Sequence, residues 1–249
     1  MKMKRFAAML LAGTMLTGLC ACGSSGGNKT AGSGSSGDEL KVSVILKTEA
    51  SEHWQLIKAG CEQYEKDNPG VKVDVKGPPS ETSYDEQTNM IDTDINGGGY
   101  DAYVIAPLQS DSVAAQIAAT DKPVIALDTN INSDKVVSFV GTGNEKAAKM
   151  GAEKAVEEAK AAKGNKAYEK TIFLGFDGST SACQAVLDGS LTLTCAQQPY
   201  DMGYKACETA VKAAKGESVD NVDTGTEIIE KDNAQARIDK MNEYLAKIK

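Results

Sequence analysis

Two stretches in the second half of the chain place polar side chains directly after apolar runs. "GFDGS" ends a predicted strand at Asp177, and "AQQP" ends the following one at Gln197. A carboxylate accepts several hydrogen bonds, and an amide both donates and accepts them. Because ligands of open α/β sheets bind at the carboxyl ends of strands, we expect Asp177 and Gln197 to contact a polar ligand.

The first half of the chain repeats this arrangement. Lys47 and Thr48 follow the apolar run "KVSVIL", and Asp128 ends "PVIALD". No clear helix follows Asp128, so a ligand-binding role is favoured there over helix capping. Asp111 precedes a helix-like run and is interpreted as its N-cap.

The sequence offers little for catalysis or for metal binding. His53 is the single histidine, and no nucleophile elbow, His-Glu-x-x-His motif or P-loop is present. "DTDING" resembles the start of an EF-hand, but Tyr103 stands where the loop needs a glutamate, so a helix end closed by Gly97 is predicted. We therefore expect no enzyme, no metal and no cofactor.

The composition of the chain bears on two questions, the binding of nucleic acid and the role of the cysteines. The 249 residues carry a net charge of −8 and a pI near 4.9, which argues against binding to nucleic acid. The cysteines at positions 61, 183, 195 and 207 form no C-x-x-C pair. Cys61 and Cys207 fall at apolar helix positions and are interpreted as small core residues, while the disulfide pairing stays open.

The N-terminus resembles an export signal. Basic residues precede an apolar run over residues 6–19, which is shorter than the ~20 residues that a membrane-spanning helix needs. "LCAC" resembles a bacterial lipobox, so residues 1–21 are predicted to be a signal peptide and Cys22 the lipidated residue. An ordinary signal peptide with incidental cysteines is the alternative. Residues 22–39 are rich in Gly and Ser and are predicted to be a flexible tether.

From Lys41 onward, short strand-like runs alternate with helical runs. The first helix is predicted to begin after a capping Ser51, and an amphipathic helix ends the chain. This alternation predicts an α/β fold in which parallel sheets are flanked by helices.

These features together resemble one family, the type I periplasmic sugar-binding proteins of ABC transporters, of the ribose and galactose class. The resemblance rests on "HW" in the first helix, "IAP", "PVIALD", "GFDGS" and "AQQPYDMG". It implies two α/β lobes that close on a monosaccharide and an extracytoplasmic protein held at the cell membrane by its lipid anchor. The implied partner is an ABC permease, and the implied state is a monomer.

Carried over to this chain, the resemblance implies ligand-binding roles for His53, Trp54, Asp128, Asp177 and Gln197. Trp54 would stack on an apolar sugar face, although a core position in the first helix is the alternative. Thr129 stands where ribose binders have arginine, which argues against ribose itself. A sugar-sensing module for a chemoreceptor or a sensor kinase is the alternative function, and a truncated relic without binding is another.

The resemblance also implies that part of the second lobe is missing. Compared with the family, about three β-α units are absent between the helix beginning near Asn144 and "GFDG". The N-terminal lobe is expected to comprise residues 40–140 and 199–225, and a shortened C-terminal lobe residues 141–198 and 226–249. The strand "TIFLGFDG" would then lack family neighbours and form an exposed apolar edge.

Overall fold

The structure, a computed structural model, describes residues 39–161 and 171–248. Within the chain, Gly37–Lys249 forms one compact unit. The predicted signal peptide, nearly all of the tether, Cys22 and the junction over residues 163–170 lie outside the described residues. Across the described ranges, no helix is both long enough and apolar enough to cross a bilayer.

Strands and helices mostly alternate along the chain, as the sequence pattern predicted, except where β5 follows β4 and β9 follows β8. In order they are β1 (Leu40–Ile45), α1 (Glu52–Asp67), β2 (Val71–Lys76), α2 (Tyr84–Gly97), β3 (Ala102–Ile105), α3 (Ser110–Ile117), β4 (Val124–Leu127), β5 (Val136–Gly141), α4 (Asn144–Ala161), β6 (Leu174–Asp177), α5 (Thr180–Asp188), β7 (Leu193–Ala196), α6 (Pro199–Ala214), β8 (Val222–Asp223), β9 (Glu227–Ile229) and α7 (Ala234–Leu245).

The larger sheet has six parallel strands in the order β2-β1-β3-β4-β5-β8. Its inner strands β3 and β4 are buried along their whole length because helices cover both faces of the sheet. Val42 and Val44 of β1 pack in a cluster with α1 and α6, whereas Ile45 packs in a second cluster with α2 and α3. The predicted α/β fold with a parallel sheet flanked by helices is confirmed. The strand order reverses between β1 and β3, which is where such sheets form ligand crevices.

The smaller sheet has the order β6-β7-β9. Strands β6 and β7 are parallel, but β9 runs antiparallel to β7, which the sequence pattern did not predict. The chain leaves β8 of the larger sheet through a turn at Gly225, where φ is 79°, and enters the smaller sheet from the opposite end. Helices α5 and α7 cover one face of the smaller sheet in a third apolar cluster.

The strand "TIFLGFDG" does form an exposed apolar edge. β6 is the outer strand of the smaller sheet, and the side chains of Phe173, Leu174 and Phe176 are 55%, 43% and 37% exposed. Charges, proline or bulges normally keep an edge strand from pairing with another chain. Residues 171–176 contain no charge and no proline. This edge therefore lacks the charges and proline that usually protect an exposed strand.

Three predicted helix ends differ in detail from the structure. Ser51 occupies the N-cap of α1, but its side chain makes no capping hydrogen bond. Asp111 is not a cap, because α3 begins one residue before it and Gln109 holds the N-cap position. Gly98 rather than Gly97 adopts the left-handed conformation that closes α2, with φ of 63°. At α2 and α3, a shift of the helix boundary by one or two residues moves the predicted role to a neighbouring residue.

Helices α1 and α6 pack closely, and one glycine of each helix faces the backbone of the other. A Cβ on Gly203 would overlap the carbonyl oxygen of Ile57, and a Cβ on Gly60 would overlap the carbonyl oxygen of Tyr200. Since these are backbone atoms, they cannot move aside without separating the helices. Glycine is required at both positions for steric reasons.

Substitution of Gly203 by alanine is therefore expected to force α1 and α6 apart. We expect Gly203→Ala to lower the free energy of unfolding by at least about 2 kcal/mol, since overpacking a rigid interface costs roughly that much. Gly97→Ala is the matched control, because a Cβ at this position would have no neighbour within 4 Å and alanine favours the helix. Urea denaturation of both variants measures the difference, and equal stabilities would contradict the steric argument.

Candidate functional site

A cleft of about 490 Å³ lies where the polar strand ends of both sheets meet. All five residues predicted to bind ligand line it: His53, Trp54, Asp128, Asp177 and Gln197. Further polar lining comes from Lys47, Glu52, Glu81, Thr129 and Asn144. The fold thus brings together side chains from the first and the second half of the described chain, from Lys47 to Gln197.

A second hollow, of about 780 Å³, is larger but is lined by fewer charged groups. It lies beside β5 and the loop that contains Asn130, and Asp134 is its single charged lining residue. Several convergent charged and polar groups are what distinguish a binding site from a surface hollow. The smaller cleft is therefore the candidate functional site.

Asp128 is held by positive and hydrogen-bonding neighbours. The Lys47 ammonium lies 3.1 Å from Asp128 Oδ2, and His53 Nε2 lies 3.4 Å from Asp128 Oδ1. Lys47 also donates to the Thr129 hydroxyl at 2.7 Å, and that hydroxyl donates to Asp128 Oδ2 at 3.0 Å. The Lys47 contact was not predicted, although its place at the end of β1 had marked it as polar.

These neighbours decide the ionisation of Asp128. Burial is the largest single influence on its pKa and raises it, but the hydrogen bond from His53 and the charge of Lys47 together outweigh burial. The result is that the pKa of Asp128 falls from 3.8 to about 2. Asp128 is consequently a charged hydrogen-bond acceptor at any physiological pH.

Asp177 and Gln197 form the opposite wall of the cleft. Gln197 Nε2 donates to Asp177 Oδ1 at 2.8 Å, and the Thr142 hydroxyl donates to Gln197 Oε1 at 3.3 Å. Asp177 accepts a hydrogen bond and Thr142 donates one, so the side-chain amide of Gln197 has one favoured orientation. The wall therefore presents a carboxylate and an oriented amide from two neighbouring strands.

Both aspartates adopt a backbone conformation that non-glycine residues seldom take. Their φ angles are 60° at Asp128 and 71° at Asp177, in the left-handed region. Asp128 follows β4 and Asp177 ends β6, and both line the cleft. Such strained positions are concentrated at functional sites, which supports this assignment of the cleft.

Trp54 lies at the base of the cleft and is mostly covered. Its ring is 3% exposed and belongs to the core cluster of α1 and α6. The indole N–H donates to Glu81 Oε1 at 2.7 Å, and the His53 ring stands edge-on at 5.0 Å. This placement leaves little ring area for stacking on a ligand and favours the core alternative, with His53 standing nearer the opening.

Arg237 was missed by sequence reasoning, although it supports the site from behind. It is 5% exposed on α7 and donates from Nη2 to the Gln197 carbonyl at 2.6 Å and from Nη1 to Gln198 Oε1 at 2.9 Å. The helical spacing of the sequence could have indicated that Arg237 is buried, since it shares an apolar helix face with Ala234, Ile238 and Met241. A charged residue on a buried face needs buried partners, and here they are the residues of the Gln197 loop.

The polar groups that line the cleft are suited to hydrogen bonding with a ligand. Within the described ranges, no group of three or more histidine, cysteine or acidic side chains could hold a metal ion. The cleft instead offers fixed acceptors at Asp128 and Asp177, a donor at Lys47, and an amide at Gln197 that does both. These groups can satisfy the hydroxyls of an uncharged polar molecule.

The low pKa of Asp128 predicts how acid affects stability. Its ionised form contributes stability that is fully present above about pH 4 and is lost as the pH falls from the unfolded pKa toward about 2. We expect the difference in unfolding free energy between wild type and Asp128→Asn to shrink by about 2 kcal/mol from about pH 5 to pH 2. Asparagine tolerates the left-handed backbone, so the variant tests charge rather than conformation. Urea titrations across this range measure the difference, and a constant difference would contradict the ion-pair account.

Residues 42–168 match the family model described as a periplasmic binding protein domain. Among curated proteins, the D-allose-binding periplasmic protein of Escherichia coli K12 is 28% identical over 178 residues, which cover 65% of this chain and 55% of the relative. The ribose import binding protein RbsB of the same organism is 48% identical over 48 residues, or 19% of this chain and 16% of the relative. This chain thus spans about half the length of the first relative.

Solved structures share the fold. A carbohydrate transporter solute-binding protein from Agrobacterium radiobacter, in complex with D-arabinose, superposes with a TM-score of 0.70 at 21% identity, over 82% of this chain and 98% of the other. An ABC transporter solute-binding protein from Agrobacterium vitis, with bound D-fucose, gives a TM-score of 0.68 at 20% identity, over 78% and 96%. The family model covers just over half of the chain, and the chain therefore belongs to the periplasmic binding protein family.

Proposed function

We propose that this chain is the substrate-binding lipoprotein of a carbohydrate ABC transporter, which binds a monosaccharide in the cleft and delivers it to a permease outside the cytoplasm. The observation that carries the proposal is the convergence of Asp128, Asp177 and Gln197 on one cleft from three different strand ends. Sugars bound to similar folds, and the D-allose-binding relative, support the same ligand class.

The charges and the size of the cleft favour a small neutral sugar. Carboxylates at Asp128, Asp177, Glu52 and Glu81 outnumber the Lys47 ammonium, so a phosphorylated or acidic sugar would meet net repulsion. A volume of about 490 Å³ lies within the range of small-molecule sites. Adjacent hydroxyls of a monosaccharide match the paired oxygens of each carboxylate.

The cluster around Asp128 gives a mechanism for binding without large rearrangement. Lys47 and His53 already hold the carboxylate in place, so a sugar hydroxyl can donate to Asp128 while Lys47 donates to a neighbouring hydroxyl. Arg237 holds the backbone of Gln197 in the same preorganised way. Preorganised groups reduce the entropic cost of binding, which favours affinity for a ligand with few apolar contacts.

The location and organisation of the chain are part of the proposal. The N-terminal pattern supports export, lipidation at Cys22, and a tether that holds the folded part near the membrane. The predicted lobe boundaries assign the six-stranded sheet to the N-terminal lobe and the β6-β7-β9 sheet to a shortened C-terminal lobe. The small size and exposed edge of the second sheet support the shortening.

A panel of pentoses and hexoses tests the proposal by thermal unfolding of the chain from Gly37 to Lys249. One sugar is expected to raise the Tm, because a ligand at 100 times its Kd adds about 2.7 kcal/mol to the stability of the native state. Asp128→Ala and Asp177→Ala are each expected to abolish the shift.

Asp111→Ala is the matched control for that panel. This aspartate follows the end of β3 but is exposed and does not line the cleft, so its variant should keep the sugar-dependent shift. A cooperative melt that no sugar moves would overturn the transport proposal for this chain. A shift that survives both cleft variants would place the sugar elsewhere on the protein.

A further inference from the structure

Two cysteines lie at the close crossing of α1 and α6, far from each other in sequence. Cys61 follows Gly60 on α1, and Cys207 stands one helical turn after Gly203 on α6. Both glycines contact the opposite backbone, so the two helices approach more closely here than side chains would otherwise allow. Cys61 Sγ lies 3.4 Å from the Gly203 carbonyl oxygen, which places its thiol directly against α6.

The two thiols are also neighbours of each other. Both are 0% exposed and belong to the same core cluster. Burial, followed by a hydrogen bond with the Cys61 thiol, raises the pKa of Cys207 well above its usual value. A protonated thiol in this position is a poor nucleophile once the protein has folded.

We propose that Cys61 and Cys207 form a disulfide that ties α1 to α6 when the protein folds in an oxidising compartment. The structure contains both as free thiols, which is the reduced form of this pair. The inference does not depend on the ligand, since the crossing lies in the core of the larger sheet.

The oxidation requires a disulfide donor, such as oxidised glutathione. One cysteine thiolate attacks the donor disulfide, which forms a mixed disulfide and releases one donor thiol. The second cysteine thiolate then attacks the protein sulfur of the mixed disulfide and releases the second donor thiol. Two S–H bonds are lost and one S–S bond forms, and the two electrons and two protons end on the donor.

The remaining described cysteines cannot form an equivalent pair. Cys195 faces α4, because a Cβ on Gly151 would overlap its sulfur. Cys183 lies on α5 and packs in a cluster with Ala196, whose side chain points to the opposite face of the sheet from that of Cys195. The smaller sheet therefore separates Cys183 from Cys195.

Peptide mapping tests the proposal on the wild-type chain from Gly37 to Lys249. The chain is unfolded and reduced, refolded with oxidised glutathione, alkylated in denaturant and digested with trypsin. Cleavage after lysine places Cys61 in residues 59–66, Cys207 in residues 206–212, and both other cysteines in residues 171–205. The expected product is a reductant-sensitive species joining 59–66 to 206–212, with Cys183 and Cys195 both alkylated.

Stability provides a second readout. A cross-link between positions so distant in sequence is expected to raise the Tm of the oxidised protein by about 10 °C over the reduced one. Cys207→Ala is expected to remove this redox-dependent difference, whereas the matched variant Cys183→Ala retains it. Four alkylated cysteines after oxidative refolding, or a linkage that includes peptide 171–205, would overturn the proposal.

Discussion

The close crossing of α1 and α6 is the contact on which the rest of the structure depends. His53 stands in the first turn of α1, and Gln197 lies two residues before α6 begins. The glycine contacts that set the distance between these helices therefore also set the distance between the ligand-facing groups at their amino ends. A rigid helix pair therefore holds the polar groups at its amino ends in fixed positions.

The same crossing connects the two sheets. Leu56 of α1 packs in the apolar cluster of α5 and α7, while Ile57, its neighbour, packs in the cluster beneath the larger sheet. Glu52, at the start of α1, accepts a hydrogen bond from the backbone N–H of Thr180 at the start of α5. Helix α1 thus contributes to both cores, and the cleft walls are held by one shared element rather than by loops.

Different neighbours hold the two cleft aspartates, Asp128 and Asp177. Asp128 is charged because the Lys47 ammonium and the hydrogen bond from His53 outweigh the effect of burial, as its lowered pKa shows. Asp177 accepts a hydrogen bond from the side-chain amide of Gln197, and Arg237 donates to the backbone carbonyl of Gln197. Both aspartates occupy left-handed backbone positions, which have a conformational cost that the surrounding hydrogen bonds offset.

By itself, the sequence determined the element pattern, the parallel sheet and the polar strand ends, because burial on both faces leaves continuous apolar runs and sharp polar boundaries. The residues of "GFDGS" and "AQQP" could be selected as site candidates for that reason, and the resemblance to the sugar-binding family implied the exposed edge at β6. Only the tertiary structure decided that Trp54 is largely covered and that Lys47 pairs with Asp128. The support of Gln197 by Arg237 and the approach of Cys61 to α6 likewise join residues far apart in the chain. Local patterns report the environment of one element, whereas these contacts depend on how elements pack against each other, which no single stretch of sequence encodes.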